Sequence, residues 1–255
     1  MNYVLDAKNV QKYYYSKKNV TKAVDDIDLR VLEGEFIGIM GPSGSGKTTL
    51  LNCISTIDTV TSGHIFISGK DITAMKQNQL SDYRRERLGF IFQDFNLLDT
   101  LTAYDNIALA LAVIGHSPDA IDAAVRKVSA ELGIEEILSK YPYELSGGQK
   151  QRTACARAMV KEPSLVLADE PTGALDSKSS KLLLENLTYM NDKRKATIIM
   201  VTHDAFTASH CRRILFMKDG KLFHELVKGN NSRKDFFRQI IDVVSVLGGD
   251  NNHVI

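Results

Sequence analysis

The sequence predicts an α/β fold with a mixed core sheet, an N-terminal antiparallel β-subdomain and an inserted α-helical subdomain. Apolar and polar residues alternate over 3–10 and 24–32, as they do in half-buried strands. Between 94 and 162 the apolar residues recur at helical spacing instead, which indicates helices inserted into the sheet-based core. Apolar runs typical of strands buried on both faces lie at 36–40, 88–92, 165–168 and 197–202.

These patterns divide the chain into three predicted parts. A core of residues 1–93 and 163–228 carries the sheet, residues 94–162 form the helical subdomain, and residues 229–255 form a C-terminal helical extension. The first two parts together make one predicted domain, 1–228.

The rest of the chain is organised around the loop that follows the strand at 36–40. Residues 41–48 fit the phosphate-loop pattern G-x-x-x-x-G-K-[ST] in full. Its glycines let backbone N–H groups wrap a polyphosphate, and the positive end of the following helix, predicted over 48–57, adds to the attraction. Lys47 would supply charge to the phosphates and Thr48 a hydroxyl to Mg²⁺. An ordinary flexible strand-to-helix loop is the disfavoured alternative. The candidate phosphate-binding residues are Gly41, Pro42, Ser43, Gly44, Ser45, Gly46, Lys47, Thr48 and Thr49.

Composition limits the class of protein and its partners. At 255 residues with 44% hydrophobic and 25% charged residues, the chain matches a soluble globular protein with a sizeable core. A net charge of +1 gives no broad field for nucleic acid or lipid. No signal peptide is expected, and the longest apolar run, 107–114, is far shorter than the roughly 18 residues of a membrane span. Three cysteines without metal-like spacing predict buried thiols in a reducing compartment such as the cytoplasm.

Aromatic and basic residues cluster at 12–18, shortly before the phosphate loop. A tyrosine of this cluster could stack on a purine ring while the loop holds the phosphates, and a solvated hairpin tip is the alternative. A mixed charge run at 82–87 predicts only a solvated helix face.

Polar residues end three of the buried strands, where ligands of open α/β sheets bind. Gln93 follows the strand at 88–92, Asp169 and Glu170 end the strand at 165–170, and His203 follows the strand at 197–202. Because successive strand residues point to opposite faces, Asp169 and Glu170 could take separate tasks at one phosphate, one near Mg²⁺ and one near water. The alternative is that the two carboxylates only cap the next helix.

A second candidate anion site lies at the start of another helix. Ser146, Gly147 and Gly148, within Leu-Ser-Gly-Gly-Gln at 145–149, open a helix predicted over 150–160. By itself this segment could also be an ordinary cap, with Ser146 at the N-cap position.

Other signals place helix ends and turns. Ser117-Pro118 predicts a helix start and Gly133 its stop, while Asp219-Gly220 predicts the turn of a hairpin over 213–224. An apolar stretch at 95–101 fits a docking surface or a satellite core.

In the tail, Ser232 and Asp235 predict a capping box, and Gly248-Gly249 predicts the end of that helix. We expect the helix to pack on the core, and a regulatory contact is the alternative. The predicted apolar face consists of Phe236, Phe237, Ile240, Ile241 and Val244.

Taken in order, these motifs resemble one family, the ATP-binding cassette (ABC) ATPases. The resemblance covers about residues 4–225, and the five-residue motif at 145–149 is its most specific mark. It implies the fold of a P-loop NTPase of ABC type, Mg²⁺-dependent ATP hydrolysis, and a head-to-tail dimer of two copies that traps two ATP molecules.

The resemblance also implies roles for individual residues. Tyr14 is similar to the adenine-stacking tyrosine, Asp169 to the second Mg²⁺ holder beside Thr48, and Glu170 to the general base. Gln93 is similar to the glutamine that touches Mg²⁺ and the attacking water and senses the transport partner, and His203 to the histidine that links the γ-phosphate to that water. The residues implied to bind the nucleotide of the second copy are Ser146, Gly147, Gly148, Gln149 and Asp176. Gly173 replaces the family's usual serine, which removes a hydroxyl contact expected across the dimer.

Within the family, residues 91–102 and 169–178 resemble the bacitracin-resistance type. This resemblance implies that the chain powers a membrane permease from the cytoplasmic face of the membrane and protects against cell-wall-directed peptide antibiotics, with an associated sensor kinase as a further candidate partner. Lipoprotein-releasing and MacB-like exporter ATPases are the near alternative. A soluble ATP switch for DNA repair or translation is disfavoured, since the chain has one phosphate loop, no sustained heptads and no cysteine clusters.

Overall fold

A computed structural model describes residues 3–16 and 19–248, which form two compact units. The first unit contains the described residues up to 75 and those from 199 to 248, and the second contains 76–198. The predicted three-part division stays a prediction. Three residues named in the sequence analysis lie outside the described residues: Lys17 and Lys18 of the aromatic and basic cluster, and Gly249 at the predicted end of the tail helix.

The first unit contains most of the strands. Its elements are β1 (Tyr3–Tyr15), β2 (Val20–Leu32), β3 (Phe36–Met40), α1 (Lys47–Ile54), β4 (Ser62–Ile67), β5 (Lys70–Asp71), β8 (Ile198–Val201), α7 (Ala205–Ala208), β9 (Arg213–Lys218), β10 (Lys221–Val227) and α8 (Arg233–Gly248). Strand β8 begins at the last residue of the second unit.

The predicted antiparallel β-subdomain is confirmed in the first unit. Its strand order is β2-β1-β4-β5, and β1 pairs antiparallel with both β2 and β4. Strand β1 runs five residues further than predicted, so the tyrosines at 13–15 belong to a strand and pair with residues 20–22. The pairing of β1 with β2 contains register shifts, and these irregularities bend the two-stranded ribbon.

A second set of strands places the phosphate loop. Strand β3 lies between β9 and β8 and pairs parallel with β9, and β10 pairs antiparallel with β9. All five residues of β3 are buried, as its continuous apolar sequence predicts. The hairpin of β9 and β10 turns at Asp219 and Gly220, which confirms the turn prediction.

The second unit carries most of the helices. Its elements are α2 (Gln77–Arg87), β6 (Leu88–Ile91), α3 (Ala103–Ala112), α4 (Pro118–Leu132), α5 (Gly147–Met159), β7 (Leu165–Asp169) and α6 (Ser177–Arg194). Strands β6 and β7 pair in parallel, and α3, α4 and α5 lie between them in the chain, which confirms the helical insertion. Helix α4 begins after Ser117 and ends at Gly133 in the left-handed conformation, as predicted.

The tail helix α8 begins with the predicted capping box but buries only part of the predicted apolar face. Its residues Phe236 and Ile240 are fully buried, whereas Ile241 and Val244 are 41% and 37% exposed. The prediction that the last two share the buried face is wrong. The packed stripe continues instead through the half-buried Val243, because residues three and four apart share one side of a helix.

Helix α8 lies against α7 through a buried histidine. The Nε2 atom of His210 accepts a hydrogen bond from the Arg233 guanidinium at 3.0 Å, and the ring meets Phe206 edge-on at 5.5 Å. Burial, together with the positive charges of Arg233 and Lys228, lowers the pKa of His210 to about 4.

The lowered pKa of His210 predicts that the protein loses stability in mild acid. The unfolded chain, with an ordinary histidine pKa of 6.5, binds more protons than the folded protein between pH 6.5 and about 4. The stabilising contribution is therefore complete above that window and is lost as the pH falls through it. His210→Gln keeps an acceptor for Arg233 but does not titrate, so the free energy of unfolding should fall less steeply with pH in this variant. Equal slopes for both proteins in urea unfolding between about pH 7 and 5 would contradict the prediction.

All three cysteines, Cys53, Cys155 and Cys211, are free and buried, as predicted. Burial raises the pKa of the Cys53 and Cys155 thiols to about 12. Within the described ranges, no helix is both long and apolar enough to cross a membrane.

Candidate active site

The phosphate loop is seated against the backbone of two neighbouring segments. A Cβ atom on Gly46 would lie 2.0 Å from the carbonyl oxygen of Ala23, and one on Gly41 would lie 2.2 Å from that of Met217. Gly46 also has a φ of +98°, which residues with a side chain rarely adopt. Glycine is therefore required at these positions by packing behind the loop as well as by its curvature.

The β9–β10 turn braces the same loop. The N–H group of Gly220 donates to the carbonyl oxygen of Ser45 at 3.1 Å, and its own carbonyl accepts from the N–H group of Asp25 at 2.8 Å. The turn thus fixes the phosphate loop and β2 relative to each other. Its sequence indicated only a hairpin, because the contact joins residues far apart in the chain.

Lys47 lies inside the loop, at the first residue of α1. It is 8% exposed, and its ammonium group donates to the carbonyl oxygens of Gly41 at 2.9 Å and Pro42 at 2.8 Å. Both acceptors are carbonyl oxygens, and the two hydrogen bonds orient the ammonium group. A buried, oriented cation at a helix N-terminus fits the polyphosphate of a nucleotide.

The three tyrosines of the aromatic cluster differ in their surroundings. Tyr13 donates its hydroxyl to Asp25 at 2.6 Å, which raises the pKa of Tyr13 to about 12. Tyr14 donates to Asp58 at 2.7 Å, and the Lys12 ammonium lies 4.9 Å from the centre of its ring. Its side chain is thereby anchored while 44% exposed, whereas Tyr15 is 71% exposed. Tyr14 therefore combines a side chain held by a hydrogen bond with an exposed ring, which makes it the candidate for stacking.

His203 follows β8, next to the strand that leads into the phosphate loop. The N–H group of the preceding residue, Thr202, donates to the carbonyl oxygen of Ile39 in β3 at 3.1 Å. His203 is exposed. The neighbouring Asp204 caps α7 through the N–H groups of Phe206 and Thr207, so that carboxylate serves the helix.

In the second unit, β7 ends at Asp169, and Glu170 has left the strand with a φ of +47°. The expectation that the two carboxylates diverge by simple strand alternation is therefore wrong. The direction of the Glu170 side chain is set instead by its left-handed backbone conformation. The carbonyl oxygen of Glu170 accepts a hydrogen bond from the N–H group of Gly173 at 2.9 Å. A positive φ is uncommon for a residue that carries a side chain.

Gly173 makes room for Gln93. A Cβ atom on Gly173 would lie 3.0 Å from Cδ and 3.1 Å from Nε2 of the Gln93 side chain. Gly173, which replaces the family's usual serine, therefore leaves the space in which the exposed Gln93 amide lies.

Gly173→Ala should move the Gln93 side chain by a few tenths of an ångström. Because Gln93 is exposed and can rotate, we expect the free energy of unfolding to change by less than about 1 kcal/mol. If the position of Gln93 matters for turnover, kcat should fall about 2- to 10-fold. Urea unfolding and steady-state ATP hydrolysis measure the two effects, and an unchanged kcat would contradict a role for this contact.

Ser146 and Asp176 each cap a helix of the second unit. The Ser146 hydroxyl accepts from the N–H group of Gln149 at 3.3 Å, and the Gln149 side chain accepts from the N–H group of Ser146 at 2.9 Å. Asp176 accepts from the N–H group and hydroxyl of Ser179, and these hydrogen bonds lower its pKa. The predicted cap at Ser146 is confirmed.

The two helix starts lie against each other. A Cβ atom on Gly148 would lie 2.7 Å from the Ser179 hydroxyl. The structure thus brings Ser146, Gly147, Gly148 and Asp176 together at one edge of the second unit. Two adjacent helix N-termini form a surface that favours anions.

Sequence reasoning missed two polar residues of α5, the buried Gln151 and the half-buried Arg157. Gln151 donates to the carbonyl oxygen of Phe92, before Gln93, and Arg157 donates to those of Phe95 and Asn96, after Gln93. Gln151 stands three and four positions before the buried Ala154 and Cys155. A glutamine on the apolar face of a predicted helix is the signal that could have identified it.

Comparisons with known proteins agree with this geometry. Residues 24–173 match the family model described as ABC transporter. The chain is 51% identical to the bacitracin export ATP-binding protein BceA of Halalkalibacterium halodurans, over 98% of each protein. It is 40% identical to the macrolide export ATP-binding/permease protein MacB of Mannheimia succiniciproducens, over 88% of this chain and 35% of that protein.

Solved structures agree as well. The ATP-binding cassette MJ0796, in a dimeric post-hydrolysis state bound to ADP and Pi, matches with a TM-score of 0.80 and 36% identity, over 88% of this chain and 98% of that chain. The family model matches more than half of this chain, and a relative is 51% identical over 98% of both proteins. This chain therefore belongs to the ABC transporter family as an ATP-binding cassette that hydrolyses ATP.

Proposed function

We propose that this ATPase powers a membrane permease that protects the cell against cell-wall-directed peptide antibiotics such as bacitracin. The observation that carries the proposal is the 51% identity to a bacitracin export ATP-binding protein over 98% of both chains. The MacB match is weaker, at 40% identity over 88% of this chain. The protein would act at the cytoplasmic face of the membrane, held there by the permease.

Two copies would form the working enzyme. The relative MJ0796 is dimeric, and each copy of this chain would offer two anion-attracting surfaces: the phosphate loop, and the paired starts of α5 and α6. In a head-to-tail dimer, Ser146, Gly147, Gly148, Gln149 and Asp176 of one copy would bind the nucleotide held by the other. ATP binding would close the dimer and hydrolysis would open it, since contacts from the second copy to the γ-phosphate would form only in the closed state.

Within one nucleotide site, each residue would keep the role that the family resemblance implies. Tyr14 would stack on adenine, and the backbone of 41–49 with Lys47 would bind the phosphates. Glu170 would accept a proton from the attacking water, and His203 would connect that water to the γ-phosphate.

The metal would be Mg²⁺. Thr48, Gln93 and Asp169 offer hydroxyl, amide and carboxylate oxygens, the hard ligands that this ion prefers. When bound, Mg²⁺ neutralises charge that develops on the phosphate oxygens.

The permease would dock on the exposed part of the segment 95–101, where Leu98 is 47% exposed. A sensor kinase that reads the transport complex is a further proposed partner.

The test is purification of a tagged Glu170→Gln variant from detergent-solubilised membranes with ATP present, followed by mass identification of the bound proteins. We expect one multi-span permease with a large extracellular domain for every two copies of the ATPase. Deletion of the gene should then raise sensitivity to bacitracin. Recovery of only soluble or nucleic-acid-associated proteins would overturn the transport proposal.

A second candidate is the ATPase of a lipoprotein-releasing or MacB-like exporter, which the 40% identity to MacB favours. It predicts unchanged bacitracin sensitivity in the deletion strain, together with macrolide sensitivity or retained lipoproteins.

A further inference from the structure

Gln151 on helix α5 joins the two backbone segments that follow β6 and β7. Its side chain is fully buried, and Nε2 donates to the carbonyl oxygen of Pro171 at 2.8 Å and to that of Phe92 at 3.3 Å. Carbonyl oxygens only accept hydrogen bonds, so both contacts require the NH₂ group and fix the orientation of the amide. Phe92 directly precedes Gln93, and Pro171 directly follows Glu170.

The same helix holds the other end of the Gln93 loop. The Arg157 guanidinium donates to the carbonyl oxygen of Phe95 at 2.9 Å and also to that of Asn96. Phe95 and Asn96 have φ angles of +60° and +49°, so the chain turns sharply where Arg157 holds it. The backbone from 92 to 96 is thus attached to α5 on both sides of Gln93.

Helix α5 also begins at the Ser146 cap. A single helix therefore carries the surface proposed to meet the second copy, a connection to the Gln93 loop and a connection to the backbone beside Glu170. The hydrogen bond from Gln151 to Pro171 is buried, and those to Phe92 and Phe95 are partly buried. Because such bonds are directional and costly to break, we expect these segments to move together with the helix.

We propose that Gln151 is a positioning residue for ATP hydrolysis: its amide sets the backbone beside Glu170 and couples it to the position of Gln93. This inference rests on the roles proposed above for Glu170 and Gln93. If so, one contact would link two events. The permease would deliver its signal at Gln93, and the Gln151 amide would pass the change to the backbone that places Glu170, the proposed general base.

The first test is Gln151→Met, measured on the purified full-length chain. Methionine keeps the length and burial of the side chain but removes both donors. We expect kcat to fall about 10- to 100-fold, the usual effect of a misplaced catalytic group. The KM for ATP should stay within about threefold, because nucleotide binding depends on the loop 41–48 and Lys47. A wild-type kcat, or a loss that lies in KM alone, would overturn the proposal.

Thr153→Val provides a matched control on the same helix. Thr153 is also fully buried, but its hydroxyl donates at 2.9 Å to the carbonyl oxygen of Gln149, within the helix itself. This variant loses a hydrogen bond of a buried side chain without touching Phe92 or Pro171, so its kcat should stay close to wild type. An equal loss of kcat in both variants would mean that any buried change in α5 slows the enzyme, and would overturn the specific role.

The second test separates a donor from a space-filling role by its pH dependence. In Gln151→Glu, an ionised carboxylate faces two carbonyl oxygens, and only its protonated form can donate a hydrogen bond to one of them. Burial raises the pKa of such a carboxyl group. The kcat of this variant, relative to wild type, should therefore rise as the pH is lowered from about 8 to about 6. A constant ratio would overturn the donor role.

Glu170→Gln, measured beside these variants, keeps this inference separate from the proposed function. If Glu170→Gln retains turnover, the proposed role of Glu170 fails whatever Gln151 does. If Glu170→Gln is inactive while Gln151→Met hydrolyses ATP normally, only the positioning role fails.

Discussion

Replacing Glu170 with glutamine should lower kcat for ATP hydrolysis by about 10²–10⁴, the usual contribution of a general base. The amide has the shape of the carboxylate but cannot accept a proton from water at neutral pH. The left-handed backbone at this residue, with a φ of +47°, is unaffected by the side-chain change. The variant should therefore fold normally and lose the proton-transfer step.

Nucleotide binding should survive the same substitution. The phosphate contacts proposed for Lys47 and the loop 41–48 remain in place, so the Kd for ATP should change by less than about threefold. Rapid-quench hydrolysis and equilibrium binding of a fluorescent ATP analogue measure the two quantities. Glu185→Gln, at an exposed position paired with Lys181 on α6, is the control and should keep wild-type turnover. Normal turnover in Glu170→Gln would remove Glu170 from the catalytic role.

Gly46→Ala should be the most damaging single change to the fold of the phosphate loop. The new methyl group would lie 2.0 Å from the carbonyl oxygen of Ala23, and the backbone atom it meets cannot rotate away. In addition, alanine disfavours a φ of +98°. Strained backbone costs about 1–3 kcal/mol and overpacking a further 1–3 kcal/mol, so we expect about 3 kcal/mol or more of lost stability. ATP binding should be lost with the shape of the loop.

Gly69→Ala separates the two costs of Gly46→Ala. Gly69, between β4 and β5, has a φ of +76°, but no atom lies within 4 Å of the position that a Cβ atom would take there. This variant should lose only the conformational part, about 1–2 kcal/mol, and keep its ATP affinity. Urea unfolding of both variants measures the difference. Equal destabilisation would show that the contact with Ala23 relaxes and that backbone conformation alone requires glycine at 46.

Local chemistry made much of the fold predictable. Ser117-Pro118 and Gly133 bounded α4, and Asp219-Gly220 turned the β9–β10 hairpin, because caps and turns depend on residues adjacent in the chain. Continuous apolar sequence identified β3 and β7, and the pattern at 41–48 identified the phosphate loop. The start of α8 followed from the capping box of Ser232 and Asp235.

Errors arose where one pattern fits more than one arrangement. Five apolar residues in α8 span more of the helix circumference than one contact face can cover, and the packing against α7 buries Phe236 and Ile240 but not Ile241. Strand alternation also failed at Glu170, because the chain leaves the extended conformation one residue before the end of the predicted strand at 165–170.

By itself the sequence determined the chemistry available to this protein: the phosphate loop with Lys47, the polar residues at the ends of β6, β7 and β8, and the capped glycines that begin α5. Only the tertiary structure decided how those groups are held. Gly46 meets Ala23, Gly220 braces Ser45, and Gln151 joins Phe92 to Pro171 through contacts between residues 20 to 175 positions apart, which no local pattern encodes. The physical reason is that side-chain type and backbone propensity act over a few residues, whereas the steric and hydrogen-bond demands of a buried position come from whatever the fold packs beside it.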